Sequence, residues 1–263
     1  MAGDDADVLL AERRGSALLL TVNRPGKLNA ISSAVLAELD RRLGQAERDP
    51  EVRSVVLTGA GPKAFVAGAD IAEYAGQDHQ GFIAYQAESR RLFSWLDGFG
   101  KPVIGAVNGY ALGGGFELAL CCDLLVASTR ASFGLPEGLL GLSPGGGGTQ
   151  RLTRAAGPFV AADVLLAARR LSAPDALRLG LVAEVVEPER LLDAALAKAE
   201  QVANVAPLAT RELLGLIRTA MEAPLEEGLG QEQDALARLH RSTDAAEGIR
   251  AFVEKRAPRF TGE

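Results

Sequence analysis

The sequence predicts an α/β fold whose first part alternates strands with helices and whose last part is mainly helical. Short runs rich in β-branched residues, such as residues 52–58, alternate with longer stretches in which apolar residues recur at helical spacing. This alternation is typical of an α/β core. After about Ala155 the helical patterns dominate. We therefore expect an α/β core over residues 1–190 and a helical lobe over residues 191–263.

The elements of the core follow from local patterns along the chain. Residues 8–12 and 17–23 flank a short Arg-Arg-Gly-Ser segment and predict a hairpin. Leu36, Leu39 and Leu43 recur at helical spacing and predict the first helix, which begins near residue 33. Further patterns predict, in order, a strand over residues 52–58, a helix over 81–96, a strand over 102–107, a helix over 113–121 and a strand over 124–127.

The C-terminal part contains a helix start that the sequence identifies well. Ser172 and Asp175 have the spacing of a capping box, in which each side chain bonds to the other residue's backbone N–H. Three further amphipathic stretches are predicted up to residue 254. Leu213, Leu214 and Ile217 form an apolar face with few partners nearby in the sequence, which predicts an oligomer.

Composition excludes several classes of protein. With 263 residues and 48% hydrophobic residues, the chain can bury a large core. A net charge of −6 argues against nucleic-acid binding, which depends on neutralising phosphates. The longest apolar runs, such as residues 17–22, are too short to cross a bilayer.

Targeting signals and cysteines indicate the compartment. Residues 1–7 carry three acids and lack a basic segment, so we expect no secretory signal. Cys121 and Cys122 are the only cysteines and, as neighbours, cannot link distant parts of the chain. Both observations favour a cytoplasmic protein.

Two familiar patterns are rejected on their context. Residues 59–64 match the dinucleotide-binding pattern G-x-G-x-x-A, but the following residues continue as loop where that motif requires a helix. Residues 141–145 match the nucleophile pattern G-x-S-x-G, but Pro144 after Ser143 has no N–H to stabilise an oxyanion. The glycines of residues 145–148 lead to Thr149 without the lysine of a phosphate-binding loop.

Two other glycine-rich loops and two acids remain as candidates. Residues 67–71 and 109–117 each follow a strand and precede a helix, where free backbone N–H groups can bind an anion. Such loops form either an oxyanion hole or ordinary tight turns. Glu117 at a helix start and Glu137 in an apolar loop form a plausible acid–base pair, although each taken singly also fits a structural role.

Taken together, the ordered motifs of the chain resemble those of the enoyl-CoA hydratases of the crotonase superfamily, from about residue 8 to residue 260. The segments that carry the resemblance are residues 23–25, 28–30, 67–71, 108–118, 133–137, 144–152, 176–177, 180–182 and 251–256.

The resemblance implies a crotonase-type spiral of ββα units with a C-terminal helical trimerisation lobe, commonly assembled as a homotrimer or a dimer of trimers. It implies an acyl-CoA substrate and no cofactor or metal beyond the CoA of the substrate. The backbone N–H groups of Ala69 and Gly114 would form the oxyanion hole. Glu137 would supply the proton to C2, and Glu117 would orient or activate the water.

Substrate-binding positions are also implied by the resemblance. Lys27, Leu28, Ala67, Asp70 and Ile71 match positions that hold CoA, and Asp70 would start the helix after the first loop. Phe252 and Lys255 match positions that reach the nucleotide of a neighbouring subunit. A Δ3,Δ2-enoyl-CoA isomerase on the same scaffold and a non-catalytic acyl-CoA-binding subunit are the alternatives, and the presence of both acids favours the hydratase.

Overall fold

A computed structural model describes residues 7–263. The expectation of no secretory signal concerns residues 1–7, of which only Asp7 is among the described residues. The strands are β1 (Leu9–Arg14), β2 (Ala17–Val22), β3 (Ser54–Gly59), β4 (Ala64–Val66), β5 (Val103–Val107), β6 (Tyr110–Leu112), β7 (Leu124–Ser128), β8 (Ser132–Gly134), β9 (Leu171–Ser172) and β10 (Glu184–Val186). The helices are α1 (Ser33–Arg48), α2 (Ile71–Tyr74), α3 (His79–Asp97), α4 (Gly114–Leu120), α5 (Gly148–Ala156), α6 (Pro158–Leu166), α7 (Ala173–Arg178), α8 (Leu191–Ala203), α9 (Pro207–Thr219), α10 (Leu225–Leu239) and α11 (Thr243–Glu254).

The strands form two sheets, and from β3 to β8 the chain alternates between them. One sheet has the order β1-β2-β3-β5-β7-β10 and the other β4-β6-β8-β9. Each pair β3–β4, β5–β6 and β7–β8 therefore adds one strand to each sheet, and at least one helix follows each pair. The β1–β2 hairpin and the β8–β9 pair are antiparallel, and the remaining pairs are parallel. The structure thus has the repeated ββα organisation expected of a spiral.

Helix α1 shows how the sequence pattern becomes packing. The Ser32 hydroxyl accepts a hydrogen bond from the Val35 N–H at 3.2 Å and caps the helix. Leu36, Leu39 and Leu43 are at most 2% exposed and face the core, as their spacing predicts. The capping box of Ser172 and Asp175 is also present.

Two predictions about the C-terminal part need correction. Residues 191–254 form four helices, α8 to α11, and not three stretches, because the chain is interrupted at Pro207, before Leu225 and at Ser242. Of the predicted apolar face, Leu213 and Ile217 are exposed, but Leu214 is buried.

Helix α8 belongs structurally with the core. Leu191, Ala195 and Ala199 pack in one apolar cluster with Val56 and Ile104 of the large sheet. Most of the exposed large apolar side chains beyond it lie on α9, α10 and α11. None of the helices in the described part of the chain combines the length and the apolar composition that a bilayer crossing requires.

The rejected motifs adopt the structures expected from their context. After β3 ends at Gly59, the chain turns and enters β4, so no helix follows the glycines. Ser143 lies in the loop between a 3-10 turn and α5. Phe116 is fully buried and packs 5.4 Å from Phe133 between ring centres, which is ordinary core packing.

Candidate active site

The first glycine-rich loop presents one free N–H because of how it pairs with Ile31. The Ile31 N–H donates to the Gly68 carbonyl at 2.8 Å, and the Asp70 N–H donates to the Ile31 carbonyl at 2.7 Å. In such a parallel bridge the middle residue directs its own N–H to the other side. Ala69 is that middle residue, and it lines a cavity of about 120 Å³.

The second loop brings another N–H to the same cavity. Gly114 is the first residue of α4, and the first N–H groups of a helix have no partner within it. Gly115 allows α4 to contact β4 closely, since a Cβ there would lie 1.9 Å from the Val66 carbonyl oxygen. A Cβ at Gly114 would lie 3.7 Å from the Ala69 nitrogen. The two N–H groups can therefore meet at one acceptor.

Glu117 is fixed at the cavity by a third glycine-rich loop. Its side chain is 4% exposed, and Oε1 accepts hydrogen bonds from the Gly146 and Gly148 N–H groups, both at 2.8 Å. Gly148 begins α5, so a helix N-terminus also faces the carboxylate. Burial raises the pKa of Glu117, and the two N–H groups and Arg151 oppose that shift.

Glu137 lies beside Gly113 of the second loop and is held differently. It belongs to a 3-10 turn, Pro136–Leu140, that follows β8. Oε2 is buried without a hydrogen-bond partner in the described structure. Burial raises the pKa of Glu137 to about 7; the charge of Glu117 adds to this shift, and a hydrogen bond from the residue's own backbone N–H opposes it. This carboxyl can carry a proton near neutral pH.

The distances place both acids next to the predicted oxyanion site. A Cβ at Gly113 would lie 3.1 Å from Glu137 Oε1, and a Cβ at Gly114 would lie 4.0 Å from Glu117 Oε2. Ala69, Gly114, Glu117 and Glu137 all line the same cavity. The arrangement can stabilise negative charge on an oxygen and transfer protons beside it.

Five of the predicted CoA-binding residues lie at or near the cavity, and they form three groups. Ala67 and Ile71 line the cavity. Lys27 and Leu28 belong to the adjoining turn, where the Leu28 carbonyl accepts from the Ala67 N–H at 3.1 Å. The Asp70 carboxylate forms a salt bridge of 2.8 Å with Arg24, and Asp70 precedes the first residue of α2 without capping it through its side chain.

Phe252 and Lys255 lie away from this group in the chain. Phe252 is 85% exposed on α11, and Lys255 ends that helix in a left-handed conformation. Neither lines the cavity of this single chain. Within the described residues, no group of three or more His, Cys, Asp or Glu side chains is arranged to hold a metal ion.

Sequence reasoning missed several contributors to the site. The Gly146 and Gly148 N–H groups bind Glu117, and Arg24 binds Asp70. In the sequence, residues 145–148 lack the lysine of a phosphate-binding loop and contribute to the family resemblance, but neither observation shows what their N–H groups bind. A glycine run at the start of a predicted helix, without a lysine, was the signal that its N–H groups face a carboxylate within the protein.

Comparisons with known proteins show the family of the chain. A family model described as enoyl-CoA hydratase/isomerase matches residues 12–263. The short-chain-enoyl-CoA hydratase of Clostridium acetobutylicum is 41% identical over 248 residues, which cover 94% of this chain and 95% of that protein. The 2,3-dehydroadipyl-CoA hydratase of Escherichia coli is 42% identical over 255 residues, which cover 97% of this chain and 98% of that protein.

A solved structure extends the similarity to the fold. The crystal structure of an enoyl-CoA hydratase from Bacillus anthracis matches with a TM-score of 0.95 at 38% identity, and the match covers 98% of this chain and 100% of that one.

Proposed function

The chain belongs to the enoyl-CoA hydratase/isomerase family, and we propose that Glu117 and Glu137 carry out its reaction together with the N–H groups of Ala69 and Gly114. The fold is that of the crotonase superfamily. The protein is an enoyl-CoA hydratase, a hydro-lyase that adds water to a trans-2-enoyl-CoA thioester to give the 3-hydroxyacyl-CoA. The observation that carries the residue assignment is the convergence of two free N–H groups, the buried Glu117 carboxyl and the half-buried Glu137 carboxyl on one cavity.

The oxyanion site activates the substrate. When the thioester carbonyl oxygen accepts hydrogen bonds from the Ala69 and Gly114 N–H groups, electron density shifts toward that oxygen and C3 becomes electrophilic. The donors are fixed by the Ile31 bridge and by the start of α4, so they stabilise the developing charge without reorganising. The absence of a side chain on Gly114 leaves room for the thioester against the backbone.

The two carboxyls then divide the proton transfers. Water held between them bonds to C3 through its oxygen, and its released proton passes to the Glu117 carboxylate. Protonated Glu137 gives its proton to C2. Transfer of the proton from Glu117 back to Glu137 restores the starting state, so the net change is addition of one water. The raised pKa of Glu137, about 7, supports its role as the acid.

Substrate binding is proposed for the residues around the cavity mouth. The acyl-CoA substrate brings its own coenzyme A, and we assign Lys27, Leu28, Ala67, Asp70 and Ile71 to CoA contacts. Hydration transfers no electrons, so the proposed reaction requires no flavin or nicotinamide, and the Ala69 and Gly114 N–H groups would polarise the carbonyl without a metal ion. We place the enzyme in the cytoplasm, as the two adjacent free cysteines suggest.

We further propose that residues 191–263 mediate assembly into a homotrimer or a dimer of trimers. The support is the exposed apolar surface on the last helices, which includes Leu213, Ile217, Leu225, Leu229 and Leu236. Phe252 and Lys255 would then reach the nucleotide bound by a neighbouring subunit. Light scattering at micromolar concentration is expected to give a multiple of three chains, and a mass of 27.5 kDa would contradict it.

An absorbance assay on crotonyl-CoA tests the reaction. Hydration removes the conjugated enoyl-thioester absorbance, and mass spectrometry of the product should show the addition of one water. An isomerase would leave the conjugated substrate unhydrated, and a non-catalytic binder would bind crotonyl-CoA without changing it.

A further inference from the structure

One face of α3 lines the cavity beside the loop that fixes Glu117. Phe82, Tyr85, Gln86 and Ser89 follow the spacing i, i+3, i+4 and i+7, and all four line the cavity. The Tyr85 hydroxyl donates to the Ile31 carbonyl at 2.9 Å. An inward helix face of this kind is usually apolar, so the two polar residues Gln86 and Ser89 need an explanation.

The Gln86 amide occupies a defined place beside the catalytic acids. A Cβ at Gly145 would lie 2.3 Å from Gln86 Oε1, so the amide rests against bare backbone. The next residue, Gly146, donates the N–H that holds Glu117. The amide is therefore one residue away from the group that fixes the catalytic carboxylate.

Ser89 lies one helical turn farther along α3 and is only 9% exposed. In the part of the chain that the structure describes, neither the Gln86 amide nor the Ser89 hydroxyl is hydrogen-bonded to another protein group, and both side chains open into the cavity. Polar groups that face a cavity can hydrogen-bond to the molecule that fills it. A ligand with a matching polar group would be a partner for both.

We propose that Gln86 and Ser89 select a short 2-enoyl-CoA whose acyl group carries a neutral hydrogen-bonding group, a hydroxyl or a carbonyl, beyond C3. This rests on the proposed function, because Glu117 and Glu137 line the same cavity as α3, so the acyl carbons beyond C3 would share that cavity with Gln86 and Ser89. A cavity of about 120 Å³ favours a short chain.

The charges around the cavity favour a neutral group over a carboxylate. Glu117 and Glu137 both line the cavity, and no described lining residue is Lys or Arg. A second carboxylate would be repelled by Glu117 and would lose its hydration without gaining a cationic partner. An amide and a hydroxyl can instead both donate to and accept from a neutral hydroxyl or carbonyl.

Matched substrates test the selection directly. 4-Hydroxybut-2-enoyl-CoA and 2-pentenoyl-CoA differ by a terminal hydroxyl in place of a methyl group, and glutaconyl-CoA carries a terminal carboxylate. We expect kcat/KM for the hydroxyl substrate to exceed that for 2-pentenoyl-CoA by about 3- to 10-fold, the range that one net hydrogen bond provides. Glutaconyl-CoA should be the poorest of the three.

Variants identify the residues responsible. Gln86→Met and Ser89→Ala remove the polar groups with little change of shape, and the double variant should bring the hydroxyl-to-methyl ratio of kcat/KM close to one. Gln80→Leu and Ser94→Ala are matched controls on exposed positions of α3 and should leave the ratio unchanged. Circular dichroism confirms the fold of each variant.

Three outcomes would overturn the inference. A wild-type ratio near one, with crotonyl-CoA hydrated normally, would overturn it alone and leave the proposed function intact. A preference for glutaconyl-CoA would also overturn this inference alone. So would a hydroxyl-to-methyl ratio of kcat/KM that is the same in the wild type and the double variant. Failure to hydrate crotonyl-CoA and all three probes would overturn the proposed function and this inference together.

Discussion

Glu117 and Glu137 line one cavity, but the fold holds the two side chains by different means. Glu117 is 4% exposed and its Oε1 accepts two backbone N–H groups. Glu137 is on a short 3-10 turn, and its buried Oε2 has no partner among the described residues. Burial raises the pKa of both, but only Glu117 has fixed donors from another loop and a nearby arginine to oppose the shift.

This difference separates two roles that one residue type can fill. A carboxylate with two fixed N–H donors keeps its position and remains a good acceptor for a proton or a water. A carboxyl buried without such donors retains its proton more readily and can give it away. In the proposed mechanism, the environment, and not the residue type, distinguishes the base from the acid.

Removing the acid should cause the largest loss. Glu137→Gln cannot donate a carboxylic proton, so we expect kcat on crotonyl-CoA to fall by about 10²- to 10⁴-fold with nearly unchanged affinity. Steady-state kinetics and a binding titration with crotonyl-CoA measure the two quantities.

The control for this variant is Glu189→Gln, which changes an exposed acid outside the cavity. Glu117→Gln should also lower kcat, but the two losses need not be equal, because the effects of residues that act as a unit are not additive. A near-wild-type kcat for folded Glu137→Gln would remove Glu137 from the mechanism.

Removing an oxyanion donor tests whether the two acids suffice without it. Gly114→Pro deletes the N–H and leaves both carboxyls in the sequence, and we expect kcat to fall by about 10²- to 10³-fold. Gly114→Ala keeps the N–H but places a methyl group 3.7 Å from the Ala69 nitrogen, where the thioester would lie.

Folding must be checked separately, because proline also changes the start of α4. If the glycines only permit a tight turn, the variants should unfold. A folded Gly114→Pro protein with wild-type turnover would contradict the oxyanion role, and a folded, substrate-binding but slow protein would support it.

The pH dependence of kcat/KM should reflect the protonation of Glu137, the proposed acid, more than that of Glu117, the proposed base. Since Glu137 must be protonated to act and its pKa is about 7, kcat/KM should decrease above pH 7, by about tenfold per pH unit in the limiting region. Glu137→Gln should lose this decrease. A wild-type profile that stays flat to pH 9 would contradict the assignment.

Local sequence patterns predicted the longer elements of the core, but not its short strands β4, β6 and β8 or the contacts that distinguish the two acids. The α1 leucines and the Ser172 capping box depend on residues within a few positions of each other, so they could be identified directly. The hydrogen bonds from Gly146 and Gly148 to Glu117 span 29 and 31 residues, and they exist only because α5 returns to α4 in the folded chain.

The Arg24–Asp70 salt bridge shows the same limit of sequence reasoning. It joins residues 46 positions apart, so local spacing could not identify Arg24 as the partner of Asp70. The family resemblance supplied the positions of Ala69 and Gly114, whereas the reason their N–H groups are free comes from the Ile31 bridge and the start of α4.

The smallest expected effect concerns stability. A group whose pKa is raised in the folded state binds more protons there than in the unfolded chain, so stability falls as pH rises from the unfolded value, about 4.3, to the folded value of about 7. The loss of stability from ionising Glu137 is complete above pH 7. Glutamine cannot ionise, so the Gln variant avoids this loss. Glu137→Gln should therefore raise Tm at pH 8 by about 1–4 °C, and by less at pH 5. Calorimetry at both pH values measures the difference, with Glu189→Gln expected to show none. An equal gain at both pH values would mean that packing, and not the buried charge, accounts for the change.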